Sequence, residues 1–111
     1  MLYKIWTVGE EEYKLRLAAR NAVELEDKLG KHPLEVLLEL QESSLPKVKD
    51  TCLILHAALQ KFNHGMTLDK VYDLYDEYIE AGNSIQEVLE LIMDIFKTAG
   101  FIPEEGEEKN E

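Results

Sequence analysis

The sequence predicts a mainly α-helical domain of the α+β class, in which a short N-terminal β-hairpin precedes a bundle of about five helices. Three observations support this prediction. Apolar residues recur at three- and four-residue spacing over residues 48–62 and in the segments around them. A short run rich in aromatic and β-branched residues precedes Gly9, and a short run of alternating apolar and charged residues follows it. Residues typical of helix caps separate the apolar segments. We expect residues 1–102 to form one domain and residues 103–111 to form an acidic, disordered tail.

The hairpin is predicted from two segments, about residues 2–8 and 13–18, joined by a turn that contains Gly9. In the second segment Tyr13, Leu15 and Leu17 alternate with charged residues, which is typical of a strand with one buried face. A lone hairpin is marginally stable in water. We therefore expect its apolar face to rest on helices or to pair with another chain, with residues 2–8 as a free edge for self-association.

The central helix is predicted over residues 48–62, where apolar residues cover most of the helix circumference. We expect Ser44 to cap this helix and Pro46 to lie in its first turn. Two helices are expected before it. The first is predicted to begin at Asn21, which forms a capping-box pattern with Glu24, and the second to begin near Pro33. The buried side of the second helix is predicted to contain Leu34, Leu37 and Leu38.

Two further helices are predicted after the central one. Thr67 is expected to cap the fourth helix, and Ser84 with Glu87 forms a capping-box pattern for the fifth, which Gly100 ends. The apolar face of the fourth helix is predicted to contain Leu68, Val71, Tyr72, Tyr75, Tyr78 and Ile79. That of the fifth is predicted to contain Ile85, Val88, Leu89, Ile92 and Phe96.

The charge and cysteine content exclude several functions. Lys and Arg number 12 against 23 Asp and Glu, so the net charge is −11, which repels phosphate backbones and anionic lipid. We therefore expect no nucleic-acid and no membrane partner. The single cysteine, Cys52, cannot form an internal disulfide, which fits a reducing compartment.

No catalytic, cofactor-binding or metal-binding residue is predicted, and no cofactor is expected. Cys52 and His56 lie one helical turn apart, but one pair does not make a zinc site. Carboxylates at helical spacing on the fourth helix have two interpretations, a cation site or, more commonly, a solvated face. They are Asp73, Asp76, Glu77 and Glu80.

Tyrosines on the fourth helix have two interpretations that the sequence leaves open. Tyr72, Tyr75 and Tyr78 suit either the edge of the core, with buried rings and wet hydroxyls, or a surface that binds a partner. The second and fifth helices carry more apolar residues than their packing needs, which also favours association. We predict a partner-binding surface formed by the three tyrosines with exposed residues Leu37, Leu91 and Ile95.

The order of these segments resembles that of the tail assembly chaperones of long-tailed bacteriophages and prophages. The closest stretch contains residues 13–17 (Tyr-Lys-Leu-Arg-Leu), 22–26 (Ala-Val-Glu-Leu-Glu) and 29–34 (Leu-Gly-Lys-His-Pro-Leu). The resemblance covers about residues 1–103 in layout and contains no catalytic motif.

The resemblance implies a non-enzymatic assembly factor in the bacterial host cytoplasm that is absent from the mature virion. Such chaperones bind and solubilise the helical tape measure protein and help to recruit tail tube protein. The family commonly also makes a longer form by a programmed ribosomal frameshift. Residues 108–110 (Glu-Lys-Asn) have A-rich codons that suit a slippery run, and an ordinary acidic tail explains them equally well.

Two other classes compete with this interpretation. An acidic helical adaptor or antitoxin-like protein would cover a basic protein partner with the carboxylates between Asp73 and Glu80. A small metal-dependent enzyme would use the same carboxylates, although no residue set supplies both metal ligands and an acid–base pair.

Overall fold

The computed structural model describes residues 2–43 and 45–102 of the 111-residue chain. The order of elements is a two-stranded hairpin followed by five helices, as the sequence predicts. The strands are β1 (Lys4–Val8) and β2 (Glu11–Leu15), and the helices are α1 (Ala19–Leu29), α2 (Pro33–Ser43), α3 (Val48–Leu59), α4 (Leu68–Glu80) and α5 (Ile85–Ala99). Ser44 and residues 103–111, for which we predicted a helix cap and a tail, lie outside the described residues.

The hairpin packs on the helices with one face. Trp6 pairs with Tyr13 in an antiparallel register, and a two-residue turn at Gly9 and Glu10 joins the strands. Gly9 has φ 63°, a left-handed conformation that glycine adopts without strain. Trp6, Val8 and Leu15 are buried, so the prediction of a strand pair with one apolar face is confirmed. The second strand ends at Leu15, earlier than predicted, because the Arg16 N–H donates to the Ala58 carbonyl of α3 (2.9 Å) and leaves the ladder.

Helix α3 is the centre of the fold. Nine of its residues are buried, among them Ile54, Ala58 and Leu59 at 0% exposure. It contacts the hairpin, α1, α4 and α5, which explains why its circumference is apolar nearly all round. Only its predicted ends differ: Val48 and Phe62 are 54% and 44% exposed, and the helix stops at Leu59.

The start of α3 at Val48 is the one predicted, but the position predicted for Pro46 and the predicted start of α1 were wrong. Helix α3 begins at Val48, with Lys47 at the N-cap in an extended conformation (ψ 136°), so Pro46 lies before the helix and not in its first turn. Helix α1 begins at Ala19, two residues before the predicted start. Asn21 is its third residue, and its side-chain oxygen accepts a hydrogen bond from the Ala18 N–H (3.3 Å). In a capping box the side chain of the third helical residue accepts a hydrogen bond from the N-cap N–H. Asn21 has this role in α1, whereas we had assigned it to Glu24.

Helix α2 buries a different face from the predicted one. Its position is set by Pro33, the first helical residue, which is itself buried. The other buried side chains follow at three- and four-residue spacing from Pro33: Val36, Leu37 and Leu40. Leu34 is therefore half-buried at the flank, and Leu38, which we predicted to be buried, is 59% exposed.

The caps of the last two helices are those predicted. The Thr67 hydroxyl accepts from the Lys70 N–H (3.1 Å) at the start of α4. Ser84 and Glu87 form a reciprocal capping box at the start of α5, and Gly100 ends that helix at φ 87°. The buried face of α5 contains Val88, Leu91, Ile92, Ile95 and Phe96, while Ile85 is 42% exposed.

None of the described helices combines the length and the apolar character that crossing a membrane requires.

Candidate protein-binding surfaces

The three tyrosines of α4 do not form one surface. Steps of three residues on an α-helix rotate the side chain by about 60°, so the three rings span roughly 120° of the circumference. Tyr72 is 43% exposed, and no aromatic ring in the described part of the chain contacts it. Tyr75 is half-buried beside Cys52 of α3. Tyr78 packs edge-on against Trp6 of β1, with ring centroids 5.6 Å apart. Tyr72 therefore fits the interpretation as a partner-binding surface, whereas Tyr75 and Tyr78 fit the edge of the core.

A half-exposed apolar stripe runs along one flank of α4. We call it the α4 stripe and define it as Leu68, Tyr72, Tyr75 and Ile79, which follow helical spacing. Tyr72 is exposed, and the other members are half-buried at the edge of the core. The stripe presents apolar surface to solvent over three helical turns without interruption by a charged residue on the same flank.

Carboxylates occupy the side of α4 next to this stripe. Asp76 projects about 40° from Tyr72 around the helix axis, and the others lie further around. All of them are exposed: Asp69, Asp73, Asp76, Glu77 and Glu80. The solvated-face interpretation of these carboxylates agrees with this exposure.

The prediction that Leu37, Leu91 and Ile95 are exposed was wrong. Their exposures are 9%, 4% and 0%. The fifth helix contacts both α3 and β1, so Leu91 and Ile95 belong to the core instead of the surface. These three side chains therefore present no surface to a partner in this conformation.

A groove of about 240 Å³ lies between β1 and the last two helices. We call it the β1 groove. It is lined by residues 4–7 of β1, by Tyr78 of α4, by Asn83 and by residues of α5. The α5 residues include three carboxylates at positions i, i+3 and i+7, which we call the acidic row: Glu87, Glu90 and Asp94.

The β1 groove has a net negative lining. Lys4 forms an ion pair with Asp94 (2.9 Å), and the other two carboxylates of the acidic row have no cation among the groove-lining residues. The pKa of Tyr78 is raised, first by burial and then by the negative charges of Glu87 and Glu90. The phenol therefore stays neutral, and it shares the groove lining with both carboxylates.

The floor of the β1 groove contains an unpaired hydrogen-bond donor. Trp6 is 2% exposed and lines the groove, and no acceptor in the described part of the chain bonds to its indole Nε1–H. Buried polar groups nearly always have a partner, because leaving one unpaired costs roughly 1–3 kcal/mol. An unpaired buried donor beside an open groove is therefore an unusual feature.

The pair Cys52 and His56 does not suit a metal. Cys52 is 1% exposed, and burial, with a smaller contribution from the charge of Asp76, raises its pKa to about 11, whereas metal binding needs a thiolate. Burial also lowers the pKa of His56. Among residues 2–43 and 45–102, no three His, Cys, Asp or Glu side chains come together as a metal site.

Sequence reasoning missed the β1 groove. Two signals in the sequence point toward it: the only tryptophan faces inward from a strand, and three acidic residues share one face of an otherwise apolar last helix. Neither signal shows that β1 and α5 are neighbours, which is a property of the packing.

The fold and these surfaces define a small, mainly helical protein with an N-terminal hairpin and two candidate binding surfaces, one apolar and one acidic. The chain belongs to a family of unknown function, DUF6096, whose family model matches residues 2–110. No curated protein and no solved structure is significantly similar to it.

Proposed function

We propose that this protein is a non-enzymatic tail assembly chaperone of a long-tailed bacteriophage or prophage. In this role it binds and solubilises the helical tape measure protein and helps to recruit tail tube protein. The single observation that carries the proposal is the α4 stripe, an apolar surface that borders a row of exposed carboxylates. The resemblance of residues 13–34 to such chaperones supplies the client's identity.

The physical basis is the pairing of amphipathic helices. The α4 stripe from Leu68 to Ile79 is about 16 Å long, enough to cover three turns of a client helix. A long helical client exposes apolar stripes that otherwise aggregate, and the stripe removes one such segment from water. The carboxylates next to the stripe keep the outer surface of the complex charged and dispersed.

Affinity in this mechanism comes from many copies. One stripe of this size covers less surface than a stable one-to-one interface buries, so each contact is weak. Copies bound side by side on one long client gain avidity, and self-association of the chaperone through its hairpin would add to it. We place the complex in the bacterial host cytoplasm, before tube subunits replace the chaperone, so that none remains in the mature virion. A frameshifted longer form would supply the contact to the tube protein.

Co-expression with the candidate helical client tests this proposal. We expect the client to become soluble and to elute with several copies of this chain in size-exclusion chromatography with light scattering. Replacing Tyr72 by Ser should reduce the number of bound copies. Val23→Ser is the matched control, because Val23 is 58% exposed on α1, away from the stripe, and its loss should leave binding intact. A client that stays insoluble with the unaltered chain, or equal losses in the two variants, would contradict the proposal.

The exposed carboxylates of α4 favour a second candidate, an acidic adaptor that covers a basic protein partner. An adaptor of this kind binds one to one and loses affinity steeply with added salt. The double variant Asp73→Asn with Glu80→Gln separates the two functions. It should abolish adaptor binding while it leaves chaperone binding through the apolar stripe nearly unchanged.

A further inference from the structure

The outer edge of β1 is open. In the described part of the chain the sheet has only two strands, so β1 pairs with β2 along one edge and with no strand along the other. The β1 groove lies beside this edge, and it exposes backbone polar groups next to a space that a chain segment can enter. An unpaired strand edge is a template for the addition of another strand.

The register shows which backbone groups face the groove. In a hairpin with a two-residue turn, the residues that flank the turn exchange both hydrogen bonds, and the bonded pairs then alternate along the strands. The pair Val8–Glu11 flanks the turn, so Trp6 and Lys4 also direct their backbone groups toward β2. The N–H and C=O of Ile5 and Thr7 therefore point outward, toward the open edge.

The acidic row and the strand segment that line the groove have similar lengths. From Glu87 to Asp94 the axial distance is about 10 Å at 1.5 Å per residue. From Lys4 to Thr7 the strand also covers about 10 Å. In a strand added to β1, side chains on one face would recur every ~6.7 Å. Long lysine or arginine side chains at this spacing can reach carboxylates that lie three and four residues apart on a helix.

We propose that the β1 groove binds an extended, basic segment of a partner protein, which adds to the open edge of β1 as a third strand and places lysine or arginine side chains on the acidic row. This inference goes beyond the chaperone function and does not depend on it, since it concerns a different surface and an extended ligand instead of a helical one.

The chemistry of the groove favours this occupant over two others. Its volume of about 240 Å³ is below the roughly 300–1,000 Å³ typical of small-molecule pockets, but it accommodates a side chain of a peptide laid along the edge. A second copy of this chain carries the same net charge of −11 and would bring a second acidic row toward the first. A basic segment matches both the strand edge and the net negative charge of the groove lining.

The first test uses a short synthetic peptide in which lysine alternates with valine and threonine. Trp6 is the only tryptophan, so its fluorescence and its indole N–H resonance report on the β1 groove alone. We expect a saturable change in both signals on titration with the peptide. We also expect the Ile5 and Thr7 amides to exchange quickly with solvent in the free protein, and to become protected when the peptide binds.

Two controls separate strand addition from general attraction to an acidic protein. A peptide of the same sequence with backbone N-methyl groups on alternate residues keeps its charge but cannot pair, so it should not protect the two amides. Glu90→Gln should weaken binding of the parent peptide about two- to five-fold, the range expected for one exposed ion pair. Glu42→Gln, which alters an exposed glutamate on α2, should leave the affinity unchanged.

Three results would overturn the proposal. The first is the absence of any change at Trp6, Ile5 or Thr7 at millimolar peptide. The second is equal affinity of the methylated and parent peptides, or equal affinity of the parent peptide for the Glu90→Gln and Glu42→Gln variants. Either result would show general charge attraction without a specific site. The third is protection of Ile5 and Thr7 in the free protein together with a dimeric mass, which would show that a second copy occupies the edge.

Discussion

Tyr72 and Tyr78 are six residues apart on α4, and the structure predicts opposite outcomes when each is replaced by alanine. Tyr78→Ala removes a half-buried ring that packs edge-on against Trp6 at 5.6 Å and 65°. Tyr72→Ala removes a ring that is 43% exposed. Alanine is the best helix former, so neither change is destabilising through helix propensity. The difference between the two variants therefore measures tertiary packing.

The expected magnitudes follow from burial and ring geometry. Full burial of a large apolar side chain stabilises by roughly 1.5–3 kcal/mol, so the half-buried Tyr78 contributes about 1 kcal/mol. Its edge-to-face contact with Trp6 adds roughly 0.5–1.5 kcal/mol. The variant should lose about 2 kcal/mol, which lowers Tm by roughly 10 °C in a domain of this size. Tyr72→Ala, a change at the surface, should stay within about 0.5 kcal/mol of the parent.

Thermal and urea unfolding followed by circular dichroism provide the measurement, because helix content reports on the whole domain and not on the surroundings of Trp6. The two Tm values should differ by several degrees, with Tyr78→Ala the lower. Equal values, or a larger loss in Tyr72→Ala, would refute the assignment of Tyr78 to the core edge and of Tyr72 to the surface. In the same pair, only Tyr72→Ala should weaken client binding while the fold stays intact.

Three further predictions concern a cap, a thiol and a histidine. Ser84→Ala should lower the free energy of unfolding by about 1 kcal/mol in urea, because the N–H of Glu87 loses its acceptor at the start of α5. Cys52, with a pKa of about 11 and 1% exposure, should not react with a thiol reagent at pH 8 until urea unfolds the chain; fast reaction in the native state would contradict its burial. Burial lowers the pKa of His56 in the folded state, so its contribution to stability is present above the ordinary pKa of about 6.5 and is lost as pH falls from there. The urea midpoint should therefore decline as pH falls below about 6.5, and His56→Gln should flatten that decline.

Local interactions explain why parts of the fold were predictable from sequence. Thr67 and Ser84 cap their helices through bonds to residues three positions later, and Gly100 ends α5 through its own backbone conformation. These features depend on neighbours along the chain and not on packing. The central position of the helix predicted over residues 48–62 was also predictable from sequence. A helix that is apolar nearly all round buries its surface only at the centre of a bundle.

The buried faces of the outer helices depend on more than composition. Leu34, Leu37 and Leu38 make one reasonable apolar face of α2, and Val36 with Leu40 completes another. Several leucines in one turn leave the rotation of the helix undetermined. In the structure, the rotation of α2 that buries Pro33 leaves Leu38 exposed to solvent.

The sequence by itself determined the fold class, the number of helices and the caps of the last two helices, because each depends on contacts within a few residues or on period alone. Tertiary structure decided which apolar residues form a surface. Helix α4 contacts α3 on one flank and β1 on another, so Tyr75 and Tyr78 pack against different neighbours while Tyr72 remains exposed to solvent. The β1 groove exists for the same reason: strand β1 and helix α5 are nearly eighty residues apart in sequence, and only the folded chain places an open strand edge beside the acidic row.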